Sequence, residues 1–238
     1  MGESDLRVGL VIVSHSAKIA EGVVELATQM APDTRIVAAG GTDDGRIGTS
    51  FDLISEAITR ADAGVGVAIL CDLGSAILTA ETALDFLDDE IRSRVAIADA
   101  PVVEGAVAAA VAAQTGGDLA AVLDAAASAN TGTASDGSGI SETTSPGATV
   151  SGGDYSRTLE LVNKDGLHAR PAADLVKLAA TFDAPVTVNG TNARSLLGIM
   201  ALGLTRGAAA TVAAPDTPDG RTAVDGVAEL IESGFGEV

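Results

Sequence analysis

At 238 residues, 47% of them apolar, the chain is long enough for one large or two modest domains with buried cores. Its formal charge of −19, from 14 basic and 33 acidic residues, repels nucleic-acid phosphates and anionic lipid, and aromatics at 2% with no tryptophan leave no stacking platform for single-stranded bases. A single cysteine, Cys71, excludes a disulfide framework or thiolate cluster. The start "MGESDLRVGL" lacks a secretory pattern and no apolar segment nears the roughly 20 residues of a membrane helix, so a cytoplasmic protein is expected.

In chain order, four short and nearly continuous apolar runs come first: Val8 to Ser16, Thr34 to Gly41, Gly64 to Gly74 and Arg94 to Pro101. Helical patterns follow them at Ala17 to Met30, Thr49 to Ala63, Ser75 to Asp88 and Val102 to Thr115. Strands buried on both faces and alternating with helices predict a parallel α/β sheet, whose ligands gather at the carboxyl ends of the strands. There His15 closes the first strand, the loop "GGTDDGRIGTS" closes the second and Asp72 closes the third.

Residues 131–153, "TGTASDGSGISETTSPGATVSGG", are too poor in large apolar groups to offset their ordering entropy and read as a flexible linker between a first domain, 1–130, and a second, 154–238. The acidity belongs mainly to the part before Asp154, with 7 basic against 22 acidic residues, whereas the rest carries 7 against 11. The second domain predicts a strand Arg157 to Asn163, a helix Ala169 to Thr181, a strand "APVTVNG", a helical segment Ser195 to Leu204, a strand "AAATVAAP" and a helix Thr222 to Ser233. That order predicts α+β, with helices on one face of a small antiparallel sheet.

Chemistry concentrates at "NKDGLHARPAADL". A helix start is already positive, so Arg170 in its first turn is mildly unfavourable unless an anion sits beside it. Pro171 has no amide hydrogen to lose there. The reading is an anion site built on His168, Ala169 and Arg170.

With its following elements, "ARSLLGIMALGLTRGAAATVAA" included, this stretch resembles HPr, the phosphocarrier of the bacterial phosphoenolpyruvate (PEP) phosphotransferase system. The hairpin "PVTVNGTNARS" is short for that family. The first part, through "VGLVIVSHS", "GGTDDGRIGTS" and "CDLGSA", resembles the mannose-type EIIA fold, and more closely the DhaM-type subunits of PEP-dependent dihydroxyacetone kinase. The fold implied is a mannose-type EIIA α/β domain linked to an HPr-like open-faced sandwich.

The resemblance makes His168 and His15 phosphohistidines, with Arg170 as phosphate-side partner and Asp72 near His15. Gly40, Gly41, Thr42, Gly48 and Thr49 would line the phosphate pocket. A neutral imidazole nitrogen attacks a phosphoryl group when a carboxylate or carbonyl holds the proton of the other nitrogen. No metal is needed on the carrier. Asp72 could equally cap the next helix, and Ser195 reads as an N-cap where some HPr proteins have a regulatory serine. Asp43 and Asp44 read as turn residues and Cys71 as a buried small hydrophobe.

The implied activity is a phosphorelay. Enzyme I, expected to be a separate chain because no such domain is read before Val238, would charge His168; His15 would receive the group and deliver it to ADP on one kinase subunit, for dihydroxyacetone bound to another. ADP and magnesium would belong to that partner, and nothing would be bound on this chain. The mannose-type likeness implies a homodimer through the first domain. Two alternatives stay open: a sugar-transport EIIA-HPr component and a phosphorylation-state regulatory module.

Overall fold

The computed structural model describes residues 6–132 and 154–237. Two units, Met1–Thr131 and Gly132–Val238, divide the chain. Beyond Gly132 the predicted linker lies outside the described residues.

In the first unit β1 (Gly9–Ser14) is buried at every position, and α1 (Ala17–Met30) follows it. Then come β2 (Ile36–Gly40), α2 (Phe51–Ala61), β3 (Val67–Cys71), α3 (Gly74–Asp85), α4 (Asp89–Arg92), β4 (Val95–Ile97), α5 (Val102–Gln114), α6 (Leu119–Ala127) and α7 (Ala129–Gly132). The strands lie in the order β2-β1-β3-β4, all parallel.

Alternation along the central strands explains why they read as unbroken apolar runs. Leu10, Ile12, Ala68 and Leu70 face α1, α5 and α6, packing with Ala20, Val23, Ala109, Ala110 and Val122. Val11, Val13, Ile69 and Cys71 face the other way, onto Ile54, Ile58, Ala76 and Ala80 of α2 and α3. Small alanines let the helices lie close to the sheet. The chain leaves β1 for β2 on one side and returns to β3 on the other, so the loops after β1 and β3 part and leave a crevice at their carboxyl ends.

The second unit runs β5 (Asp154–Glu160), α8 (Ala169–Ala180), β6 (Thr187–Val188), β7 (Thr191–Asn192), α9 (Leu196–Ala201), β8 (Ala209–Pro215) and α10 (Pro218–Glu232). Its sheet has the order β5-β8-β6-β7, with antiparallel pairs. Ala210, Val212 and Ala214 of β8 are buried, as are Leu175 and Val176 of α8 and Val227 and Ile231 of α10. This is the α+β arrangement expected.

Several boundaries differ from the sequence reading. The strand predicted from Arg157 to Asn163 spans Asp154–Glu160, because its partner β8 extends to Pro215, opposite Asp154. The strand "APVTVNG" shrinks to Thr187–Val188, since Asn189 and Gly190 both take positive φ (48° and 81°) in a two-residue hairpin turn. That turn accounts for the short hairpin. Helix α10 begins at Pro218, ahead of the predicted Thr222, because Thr217 caps it through the Gly220 amide and proline suits a first turn.

Candidate functional site

His15 leaves the end of β1 at the crevice, and Asp72 leaves the end of β3 beside it. The Asp72 carboxylate accepts four hydrogen bonds: Ser14 Oγ at 2.8 Å and the His15 amide at 2.9 Å on one oxygen, His15 Nδ1 at 2.9 Å and the Leu73 amide at 2.8 Å on the other. Burial pushes the Asp72 pKa up, but the bonds from the His15 amide and ring and from Ser14 outweigh it and hold the carboxyl below the usual carboxylate range. Asp72 is therefore ionised as well as aligned.

Asp72 stands one residue ahead of Leu73, the N-cap of α3, and besides the Leu73 amide its carboxylate holds the His15 ring and amide and the Ser14 hydroxyl, contacts that a capping role alone does not use. An ionised carboxylate only accepts, so it fixes the proton on His15 Nδ1 and leaves the lone pair on Nε2. Ser75 Oγ meets Nε2 at 2.8 Å, in donating distance. The starts of α1 and α3 both lack a side-chain cap, which leaves first-turn amides without a side-chain acceptor.

The loop after β2 differs in role from the expectation. The Gly41 amide donates to Ser14 O at 3.0 Å, Thr42 to Arg46 O at 3.0 Å and Gly48 to His15 O at 2.9 Å, so these three amides hold the chain and are not spare donors for an anion. At Gly40 a Cβ would lie 2.7 Å from Ser16 O and 2.8 Å from the Ala17 Cα, so glycine is needed for the end of β2 to approach the start of α1. Thr42 Oγ1 bonds Asp44 at 2.6 Å, and Thr49 Oγ1 bonds Thr79 Oγ1 on α3 at 2.8 Å. The loop braces His15 from behind. Asp43 and Asp44 serve turn contacts, with Ser50 Oγ at 2.8 Å from Asp43 and Arg46 Nε at 2.6 Å from Asp44.

Cys71, under Asp72, is buried. Burial, with the charges of Asp72 and Glu81, pushes its thiol up to about 12, as suits a packing residue.

His168 occupies the N-cap position of α8 without capping it through its side chain. Its amide donates to Gly166 O at 2.9 Å, and its carbonyl accepts from Ala172 at 3.0 Å. The ring's Nε2 lies 3.1 Å from Glu237 Oε2, so a proton held there leaves Nδ1 as the free nitrogen. Ala169 and Arg170 open the helix and Pro171 follows, which leaves first-turn amides for an anion. Arg170 is exposed and has no ion-pair partner among the described residues.

Ser195 caps α9 through the Gly198 amide at 3.2 Å, in line with its plain reading. Two contacts escaped the sequence reading. Ser75 was visible in "CDLGSA", and its place in the first turn after Asp72 was the available signal. Glu237 carried none, because its contact with His168 spans 69 residues.

Residues 9–123 match the family described as PTS system fructose IIA component (EIIA-man), and residues 155–233 match PTS HPr component phosphorylation site. The PEP-dependent dihydroxyacetone kinase 2 phosphoryl donor subunit DhaM of Listeria innocua is 49% identical over 105 residues, which cover 44% of this chain and 84% of that protein. The corresponding DhaM of Escherichia coli K12 is 40% identical over 184 residues, covering 74% of this chain but only 39% of that protein. The chain thus spans about four tenths of the length of this second relative. A crystal structure of EF1359, a protein of unknown function, aligns at 36% identity with a TM-score of 0.49, covering 52% of this chain and 96% of that one.

Proposed function

Because this chain belongs to the DhaM family, we propose that it is the phosphohistidine relay subunit of a PEP-dependent dihydroxyacetone kinase. Enzyme I, charged by PEP, phosphorylates His168. His15 takes the group from His168 and passes it to ADP on the kinase's nucleotide-binding subunit, which serves dihydroxyacetone bound to a further subunit. ADP and magnesium reside on that partner. The subunit works in the cytoplasm as a homodimer through its first domain, and it is a carrier within the phosphotransferase.

The observation that carries this reading is the pair of imidazoles tied to carboxylates by opposite nitrogens: His15 by Nδ1 to Asp72, His168 by Nε2 to Glu237. At each transfer onto a histidine a nitrogen–phosphorus bond forms as the donor's bond to phosphorus breaks, and at the last step a phosphate oxygen of ADP takes the phosphorus from His15; each time the released electron pair returns to the donor nitrogen. When His168 Nδ1 hands on the group, His15 Nε2 attacks while Asp72 keeps the proton on Nδ1 and stabilises the ring's growing positive charge. The Ser75 hydroxyl, which meets Nε2 at rest, turns to a phosphoryl oxygen. Arg170 serves the same oxygens at His168, which accounts for a cation at a positive helix end.

Incubation with PEP and Enzyme I tests the order. His168→Ala takes up no label, whereas His15→Ala is labelled at His168 and supports no dihydroxyacetone phosphate formation. Label on His15 in the His168→Ala protein, with no other HPr present, would overturn the order. Mixing the two variants reads transfer between chains as restored turnover.

A further inference from the structure

The loop leading from β5 to His168 contains a polar side chain with no solvent access. Asn163 is fully buried, while its neighbours Val162 and Lys164 are exposed. Its Nδ2 donates to Gly166 O at 2.6 Å, and that same carbonyl accepts the His168 amide at 2.9 Å. A carbonyl can only accept, so the orientation of the Asn163 amide is fixed.

The other end of the side chain is unmatched: Oδ1 is buried and has no partner among the described residues. An unsatisfied buried acceptor is unfavourable, and a leucine of similar size would not carry one. The position therefore keeps its amide for the donor end. Gly166 meanwhile stands at φ +69°, where a Cβ would come within 2.3 Å of Leu204 O, and the Leu167 amide bonds that Leu204 carbonyl at 2.8 Å. The peptide just before His168 is gripped by the 204–205 backbone on one side and by Asn163 on the other.

We propose that Asn163 is a positioning residue for His168, acting through the Gly166 carbonyl to fix the His168 amide and so the aim of the imidazole at the start of α8. This rests on the reading of His168 as the phosphoryl carrier. Displacing a reacting nitrogen by a fraction of an ångström lowers the rate of a step without weakening the encounter that precedes it.

The test is Asn163→Leu in the full chain, followed by rapid-quench labelling of His168 from PEP and Enzyme I. Expected are a melting temperature equal to or above that of the parent, about a tenfold fall in kcat and a KM for Enzyme I within about twofold. NMR should show a shifted His168 amide and a mixed ring tautomer. Asn163→Ala, which keeps no donor at all, gives the same loss of rate and covers the case in which the leucine variant does not fold. A parent-like rate in either folded variant, or a loss that only tracks the unfolded fraction, overturns the proposal. His168→Ala separates the two claims: label retained there removes the carrier reading itself, whereas label lost there with normal labelling of Asn163→Leu removes only the positioning role.

Discussion

His15 and His168 stand at equivalent places, each between a strand and the start of an uncapped helix, yet they are held very differently. The His15 side chain is 22% exposed, and both ring nitrogens, its amide and its carbonyl are engaged. The His168 side chain is 41% exposed, and its ring has one described contact, to Glu237 at 3.1 Å. One imidazole is preorganised by its own domain. The other is left open, two residues before Arg170, an exposed cation with no ion-pair partner among the described residues. In a relay, an open histidine suits a carrier that meets a donor and an acceptor in turn, and a fixed one suits the terminus that delivers the group.

The strongest way to break this contrast is at Asp72. Asp72→Asn puts an amide where one carboxylate oxygen accepts two donors, so the structure adds a stability cost that the sequence did not suggest, about 1 to 3 kcal/mol. Transfer to His15 should slow on the order of a hundredfold or more through loss of the fixed tautomer. Rapid-quench kinetics and thermal melts check both; a parent-like rate would show His15 to be preorganised by other contacts.

Arg170→Ala comes next. It should slow charging of His168 by roughly ten- to a hundredfold, the equivalent of about 1.5 to 3 kcal/mol of charge-assisted contact, with melting unchanged because the guanidinium has no ion-pair partner among the described residues. Earlier melting with normal transfer would make the residue structural. Glu237→Gln should have a smaller effect, about two- to fivefold on the same step, since a partly exposed pair contributes about 0.5 to 1 kcal/mol. A larger loss would mean that the open histidine depends on its carboxylate as much as His15 does.

Acid should also divide the two domains, by the smallest margin. Asp72 and Asp62 have lowered pKa values, Asp62 chiefly through its hydrogen bond with Arg94. A depressed folded-state pKa gives stability that is complete above the unfolded value near 3.9 and disappears as pH falls through the folded value. As pH falls below about 4 the first domain should therefore lose stability that Asp72→Asn has already lost. Circular dichroism melts of parent and variant across that window check it, and parallel curves would count against the linkage.

The sequence by itself determined the α/β first domain, the α+β second domain and the two histidines. Continuous apolar runs such as Val8 to Val13 admit only strands covered on both faces, and "GLHARP" places a cation and a proline in the first turn of a helix. Contacts between distant segments could not be read there. The crevice exists because β1 and β3 pair at the point where the strand order reverses, and that pairing brings Asp72 to His15 across 57 residues. The same applies to Glu237 on His168 and to the glycine loop. Its composition suggests free amides for an anion, yet the fold directs those of Gly41, Thr42 and Gly48 onto carbonyls. Local pattern fixes which segments are helix or strand and what chemistry each can offer; which carboxylate meets which ring nitrogen follows from strand order and packing, which only the folded chain sets.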